Sequence, residues 1–144
     1  MTTVSRSALV PFSARQMFDL VDDIDAYPQF LPWCRSTQIH SRDDQQVKAS
    51  IEIAKAGINQ RFTTCNINTG GEVIEMQLVD GPFKSLHGYW RFQALSDSAC
   101  KVSLDLEFEF SSKVLSMTLG PIFSQICNTM VEAFVKRARE VYSV

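Results

Sequence analysis

Few side chains in this 144-residue chain stand where they could do chemistry. A hydrolase needs a nucleophile beside a base. Neither of the two histidines, His40 and His87, has a recognisable motif partner, and no Gly-x-Ser-x-Gly run occurs. The four cysteines, Cys34, Cys65, Cys100 and Cys127, are widely spaced with no Cys-x-x-Cys pair, so zinc spacing is absent and reduced, mostly buried thiols are expected. Asp22, Asp23 and Asp25 crowd three carboxylates together, but the central glycine and terminal glutamate of a calcium loop are missing. An acidic turn closing a helix is the expectation there, as are a turn role for Asp80 and an outward strand position for Glu107. The residue types point to binding rather than catalysis, with no metal and no catalytic cofactor.

Apolar and aromatic surface, by contrast, is concentrated in two places. The first is Tyr27-Pro28-Gln29-Phe30-Leu31-Pro32-Trp33-Cys34. Its prolines favour an extended, bent backbone and push each preceding residue out of the helical region. Large apolar side chains on so stiff a loop must pack on something, either the edge of a core or the mouth of a cavity. The second place is the stretch from about Ser112 to Tyr142, where Leu115, Leu119, Ile122, Ile126, Met130 and Ala133 recur at steps of three and four. Phe123, Cys127 and Phe134 widen that stripe. Ser111 or Ser112 can cap the helix, and Gly120-Pro121 predicts a kink or a short lead-in helix followed by the main one. The helix either fills a core or lies across a curved sheet with a gap between them.

Between these stretches the chain reads as strands. Thr3 to Val10 comes first, then a short helix capped by Ser13 with Met17, Phe18, Leu20 and Val21 on its apolar side. Alternating segments follow at 36–41, 47–53, 58–67, 72–79, 83–95 and around 102–110, joined by turns such as Ala56-Gly57 and Asn68-Thr69-Gly70-Gly71. The last is the clearest, with Val102, Leu104, Leu106, Phe108 and Phe110 alternating with polar residues, so one face is wet. This order predicts a single α+β domain spanning residues 1–144. Its arrangement is a helix grip: a curved antiparallel sheet of about six to seven strands wrapped around a long C-terminal helix, with two short helices after the first strand.

The formal net charge of -2 argues against a general nucleic-acid binder and against DNA as a partner. No run approaches the length of apolar sequence a membrane span requires, and the first residues lack the pattern of a signal peptide. A cytoplasmic location is expected, with peripheral contact at the inner membrane through the aromatic loop around Phe30 to Trp33 as an added hypothesis.

Tyr27–Cys34 (YPQFLPWC), Gly81–Phe92 (GPFKSLHGYWRF) and the closing helix resemble the coenzyme Q-binding proteins of the START-like, polyketide-cyclase-type superfamily, over nearly the whole length. In bacteria that family includes the ribosome association toxin, and the chain is most similar to this branch. The resemblance implies a hydrophobic pocket for ubiquinone or a similar isoprenoid lipid and a lipid-chaperone role supporting respiration. By motif it assigns Leu31 and Trp90 to the ligand, with Phe30, Trp33 and Phe83 at the mouth or wall. The helix and strand patterns add Phe108, Phe110, Ile122, Ile126 and Met130 as deeper lining, with ordinary core packing as the alternative for each. His87 is a candidate to bond a quinone carbonyl, and a satisfied structural or surface histidine is its alternative. The branch name implies a second function: binding the ribosome, with the large subunit as partner, and blocking subunit association. Lys136, Arg137 and Arg139 would then meet rRNA phosphates, extended by Lys48, Lys55, Arg61 and Lys84 if these cluster. Favourable interaction with the helix C-terminal dipole is the alternative for the three helix cations.

Overall fold

The computed structural model describes residues 1–142. Seven antiparallel strands form one sheet: β1 (Thr2–Val10), β2 (Cys34–Arg42), β3 (Gln46–Lys55), β4 (Ile58–Thr69), β5 (Val73–Asp80), β6 (Phe83–Ser96) and β7 (Ala99–Phe110). Their order is β1-β7-β6-β5-β4-β3-β2, a meander of six strands closed on one side by β1. The chain leaves β1 at one edge and must reach β2 at the other. It does so through helix α1 (Ala14–Asp22) and a 3-10 turn (Ile24–Gln29) that together span that end of the sheet. Helix α2 (Lys113–Tyr142) then lies across the concave face against β1, β7 and α1.

Local chemistry explains the helix starts. Ser13 Oγ accepts from the Gln16 amide at 3.0 Å, and Gln16 Oε1 accepts from the Ser13 amide at 2.9 Å, which satisfies two amides that α1 would otherwise leave unpaired. Ser112 Oγ caps α2 by accepting from Leu115 N at 3.1 Å.

Two expectations need correction. The aromatic loop is not extended throughout: Tyr27-Pro28-Gln29 forms the end of the 3-10 turn. The Tyr27 hydroxyl donates to the Val21 carbonyl, and the Tyr27 carbonyl accepts from Leu31 N at 3.0 Å. These bonds fold the segment back, so its prolines stiffen a turn that buries Tyr27, Leu31 and Trp33. Nor is there a separate lead-in helix, because α2 runs unbroken through Pro121. The carbonyl that Pro121 leaves without an amide is that of Met117, four residues back on a helix face open to solvent where water can replace the bond.

The apolar stripe of α2 is also rotated from its expected centre. Its buried line is Leu119, Phe123, Ile126, Cys127, Val131, Phe134, Val135 and Ala138, while Leu115, Ile122, Met130 and Ala133 are partly buried margins. An 18-residue window of this helix has a mean hydropathy of 1.2, long and apolar enough by composition to cross a membrane. Here the sheet covers one line of it, with Cys127 and Phe134 fully buried, while Val114 and Met117 stay exposed.

Candidate functional site

The inward faces of the strands differ in what they offer the helix. On β6 and β7 they carry Leu86, Trp90, Phe92, Val102, Leu104, Leu106, Phe108 and Phe110, all buried. On β3 to β5 they carry buried Val47, Ala49, Ile53, Thr64 and Ile74 together with Ile51, Phe62, Asn66 and Met76, which are only partly buried. Smaller and more polar side chains on that side leave a gap beneath α2. Gly88 belongs to the same inward row, opposite Met76 and Leu106. A Cβ at Gly88 would lie 2.7 Å from Leu106 Cδ1 and 2.5 Å from the Asp105 carbonyl oxygen, so the glycine of the GYW motif is required by close strand approach.

The gap is an apolar cavity of about 60 Å³. Trp33, Tyr27 and Val21 close one end; Ile51, Ile53, Phe62 and Met76 form the β3–β5 wall. Leu86, Trp90, Leu104 and Leu106 form the β6–β7 wall, under Phe123, Ile126, Cys127 and Met130 of α2. A second cavity of about 20 Å³ lies toward the start of α2, between Ile58, Gln60, Pro82, Phe83, Phe110, Leu119 and Ile122. Ligand pockets commonly measure roughly 300–1,000 Å³. The larger cavity therefore holds only a few water-sized spheres, and a ring compound requires its lining to move. Met76 and Met130 are unbranched and repack readily.

Among the residues singled out in the sequence, Trp33, Trp90, Ile126 and Met130 meet at the larger cavity, and Phe83, Phe110 and Ile122 at the smaller. Phe30, Leu31 and Phe108 line neither. Leu31 is 1% exposed within the core. Phe30 stacks edge-on against Tyr27 and Phe134. Phe108 is locked between Phe83, Phe110 and Phe123. With Leu31 and Trp33 buried, the loop presents no exposed aromatic cluster to a membrane, because tertiary packing has consumed it.

Sequence reading missed the polar part of the lining. Thr64 and Asn66 both line the larger cavity, and Thr64 Oγ1 donates to Asn66 Oδ1 at 3.0 Å. This leaves the Asn66 amide nitrogen with no bonded acceptor among the described residues, a donor available to a ligand oxygen. The available signal was the inward alternation Ile58, Gln60, Phe62, Thr64, Asn66 on β4, which places polar groups on a buried face.

His87, the histidine considered for a quinone carbonyl, is on the convex face, where Nε2 lies 2.6 Å from Glu75 Oε2. The Glu75 carboxyl is held below its usual range by that contact first and by Gln77 second. His40 bonds Ser50 Oγ at 2.6 Å, also on the convex face. Ser50 is 2% exposed, and among the described residues no carboxylate bonds the His40 ring, so this pair lacks the reach and the orienting group of a hydrolytic dyad. Burial pushes the thiol of Cys127 up to about 12 and that of Cys34 up to about 11, keeping both neutral and unreactive.

At the far end of α2, Lys136 and Arg139 are exposed, but Arg137 is engaged. Its guanidinium lies 5.1 Å from the Phe30 ring centroid, donates to Gln29 Oε1 at 3.2 Å and lies 3.6 Å from Glu140. Lys55, Arg61 and Lys84 do not gather there. Lys55 bonds Gln125 midway along α2, and Arg61 bonds Gln38 on the convex face. Lys84 shares a groove with Lys113. At 1.5 Å per helical residue, Lys113 is roughly 35 Å from Lys136, several screening lengths away.

Against known proteins, a family model described as polyketide cyclase / dehydrase and lipid transport matches residues 10–135. The chain is 48% identical over 141 residues to the ribosome association toxin RatA of Pseudomonas aeruginosa, covering 98% of each chain. It is 27% identical over 139 residues to the mitochondrial coenzyme Q-binding protein COQ10 of Drosophila melanogaster, covering 94% of this chain and 57% of that one. In structure it resembles a START superfamily protein from Mycobacterium smegmatis with a TM-score of 0.81 at 20% identity, covering 96% and 98% of the two chains.

Proposed function

The chain belongs to the polyketide cyclase / dehydrase and lipid transport family, and within it we propose that this chain is a cytoplasmic ribosome-associating protein that hinders the joining of the ribosomal subunits. The observation that carries this reading is the near-half identity, end to end, with a bacterial protein named ribosome association toxin. The exposed cations Lys136 and Arg139 are the groups we assign to rRNA phosphates, with Arg137 committed to the aromatic loop. The test is a sucrose-gradient profile of ribosomes with and without the purified protein. The expected result is loss of joined ribosomes in favour of free subunits, and an unchanged profile overturns the reading. In co-sedimentation across a salt series, replacing both Lys136 and Arg139 with Ala should weaken binding and flatten the slope by about one unit per cation removed.

A second reading is favoured by the cavity, whose lining is apolar apart from Thr64, Asn66 and the Tyr27 hydroxyl. In this reading the chain also holds a hydrophobic molecule such as ubiquinone or another isoprenoid lipid, as a carrier. The relative named for coenzyme Q binding supports it at greater distance. Neither reading uses a catalytic group of this chain. Organic extraction of protein purified from a quinone-producing bacterium, followed by mass spectrometry, tests it. Near-stoichiometric quinone that is lost in Trp90→Ala is expected, whereas an empty extract together with no uptake of added quinone overturns it.

A further inference from the structure

The two cavities share three lining residues, Ile53, Phe62 and Phe123. Phe62 from β4 and Phe123 from α2 meet edge to face with ring centroids 6.1 Å apart, so the two rings form a partition between the spaces. The partition is not equally fixed on its two sides. Phe123 is buried among Phe83, Phe108 and Phe110, whereas Phe62 is only partly buried.

The sheet is also at its most open beside Phe62. The β4–β5 ladder begins at Thr63 and shifts register between Thr63 and Thr64, so Phe62 and the residues before it are bonded on the β3 side alone. The β5–β6 ladder spans Val73↔Arg91 to Gln77↔His87, which leaves Leu78–Asp80 splayed from Phe83–Leu86. The turn at Gly81 backs onto this slot, where a Cβ would come within 2.7 Å of Phe62 Cβ. Polar lining is split as well: Thr64 and Asn66 face the larger space, and Gln60 is the polar member of the smaller.

Resting on the reading that the cavity holds a hydrophobic molecule, we propose that Phe62 is a gate between a head compartment and a tail compartment. The ligand class is then a carbonyl-bearing ring with a flexible apolar tail. The ring oxygen accepts from the Asn66 amide in the larger cavity, and the tail passes the displaced Phe62 ring into the smaller cavity between Gln60, Pro82 and Ile122. A ring without a tail uses the first compartment alone and leaves the gate shut. Phe62 acts as a specificity-determining residue, because the space its ring vacates is what the first tail carbons occupy.

The experiment is a calorimetric titration of the purified chain with dimethoxy-methyl-benzoquinone carrying zero, one, two and four isoprene units. Affinity should rise about tenfold with each of the first two units, as apolar carbon enters the second compartment. Phe62→Trp, which thickens the partition, should bind the tail-less ring as the parent does and lose the tail increment. Phe62→Leu, which keeps an apolar side chain and folds with less risk, should retain or enlarge that increment. Tail-less and tailed quinones binding the parent equally, or Phe62→Trp weakening ring and tail alike, would overturn the gate while leaving the cavity reading intact. Failure of every quinone to bind the parent would overturn both.

Discussion

The β6–β7 side of the molecule and the β3–β5 side are built from the same alternating pattern and face the same helix, yet the first is filled with interlocked rings up to the cavity wall and the second leaves the space beneath the helix. Under β6 and β7, aromatic rings interlock: Phe83 stacks on Phe110 with centroids 4.9 Å apart, Phe108 meets Phe123 at 4.7 Å, and Trp90 meets Phe134 at 5.3 Å. Under β3 to β5, Ile51, Thr64, Asn66 and Met76 stop short of α2 and leave a cavity. The difference teaches that the filled half positions the helix and so determines that a gap exists opposite. The open half sets what that gap accepts. Close packing on one side holds the helix where the other side cannot reach it.

The comparison can be broken most severely from the filled half. Phe108→Ala should cost about 3–5 kcal/mol in denaturant unfolding, because its ring is fully enclosed and the void cannot collapse. A loss under 1 kcal/mol would mean that the aromatic cluster does not hold the helix in place. Alkaline pH acts on the same packing. Thiols in the unfolded chain ionise near 9.0, while burial holds Cys34 to about 11 and Cys127 to about 12. Stability should therefore be full below pH 9 and fall as pH rises beyond it, read as a declining urea midpoint that Cys127→Ala makes shallower.

The open half should respond through ligand rather than stability. Met76→Ala should cost only about 1–2 kcal/mol, since the side chain is partly buried beside existing space. Asn66→Leu should leave stability within about 1 kcal/mol and weaken tail-less quinone about tenfold, the loss of one hydrogen bond. Equal quinone affinity in Asn66→Leu would remove the polar anchor from the account. The smallest effect lies at the far end of α2, where Arg137→Ala should cost about 0.5–1 kcal/mol by releasing the Phe30 contact. Its ribosome co-sedimentation should change less than that of Lys136→Ala, and the reverse order would place Arg137 on the ribosome instead.

Much of this was legible in the residues. Strict alternation from Val102 to Phe110 is enough to define β7 and its wet face, and period-three-and-four spacing is enough to mark α2 as an amphipathic helix, though not that it runs unbroken through Pro121. Trp33 was marked by its proline-rich loop and Trp90 by the motif resemblance, and both line the larger cavity. Leu31 was marked in the same way and instead lies in the core, because the 3-10 turn at Tyr27 redirects the chain just before it. Phe108 and Phe110 have identical alternation and differ in fate: Phe110 reaches the smaller cavity and Phe108 is sealed among rings. Asn66 escaped notice because a polar residue in a strand reads as outward until the strand's inward row is fixed by its neighbours.

Sequence alone determined the elements, their order and which face of each is apolar, because those depend on side chains two to four positions apart. Tertiary structure decided which line of α2 is buried, where the gap falls, that Arg137 folds onto Phe30, and that Thr64 and Asn66 are the polar groups beneath the helix. These depend on side chains from strands distant in the chain, whose summed volumes and chain path fix how closely a rigid helix can approach each part of a curved sheet.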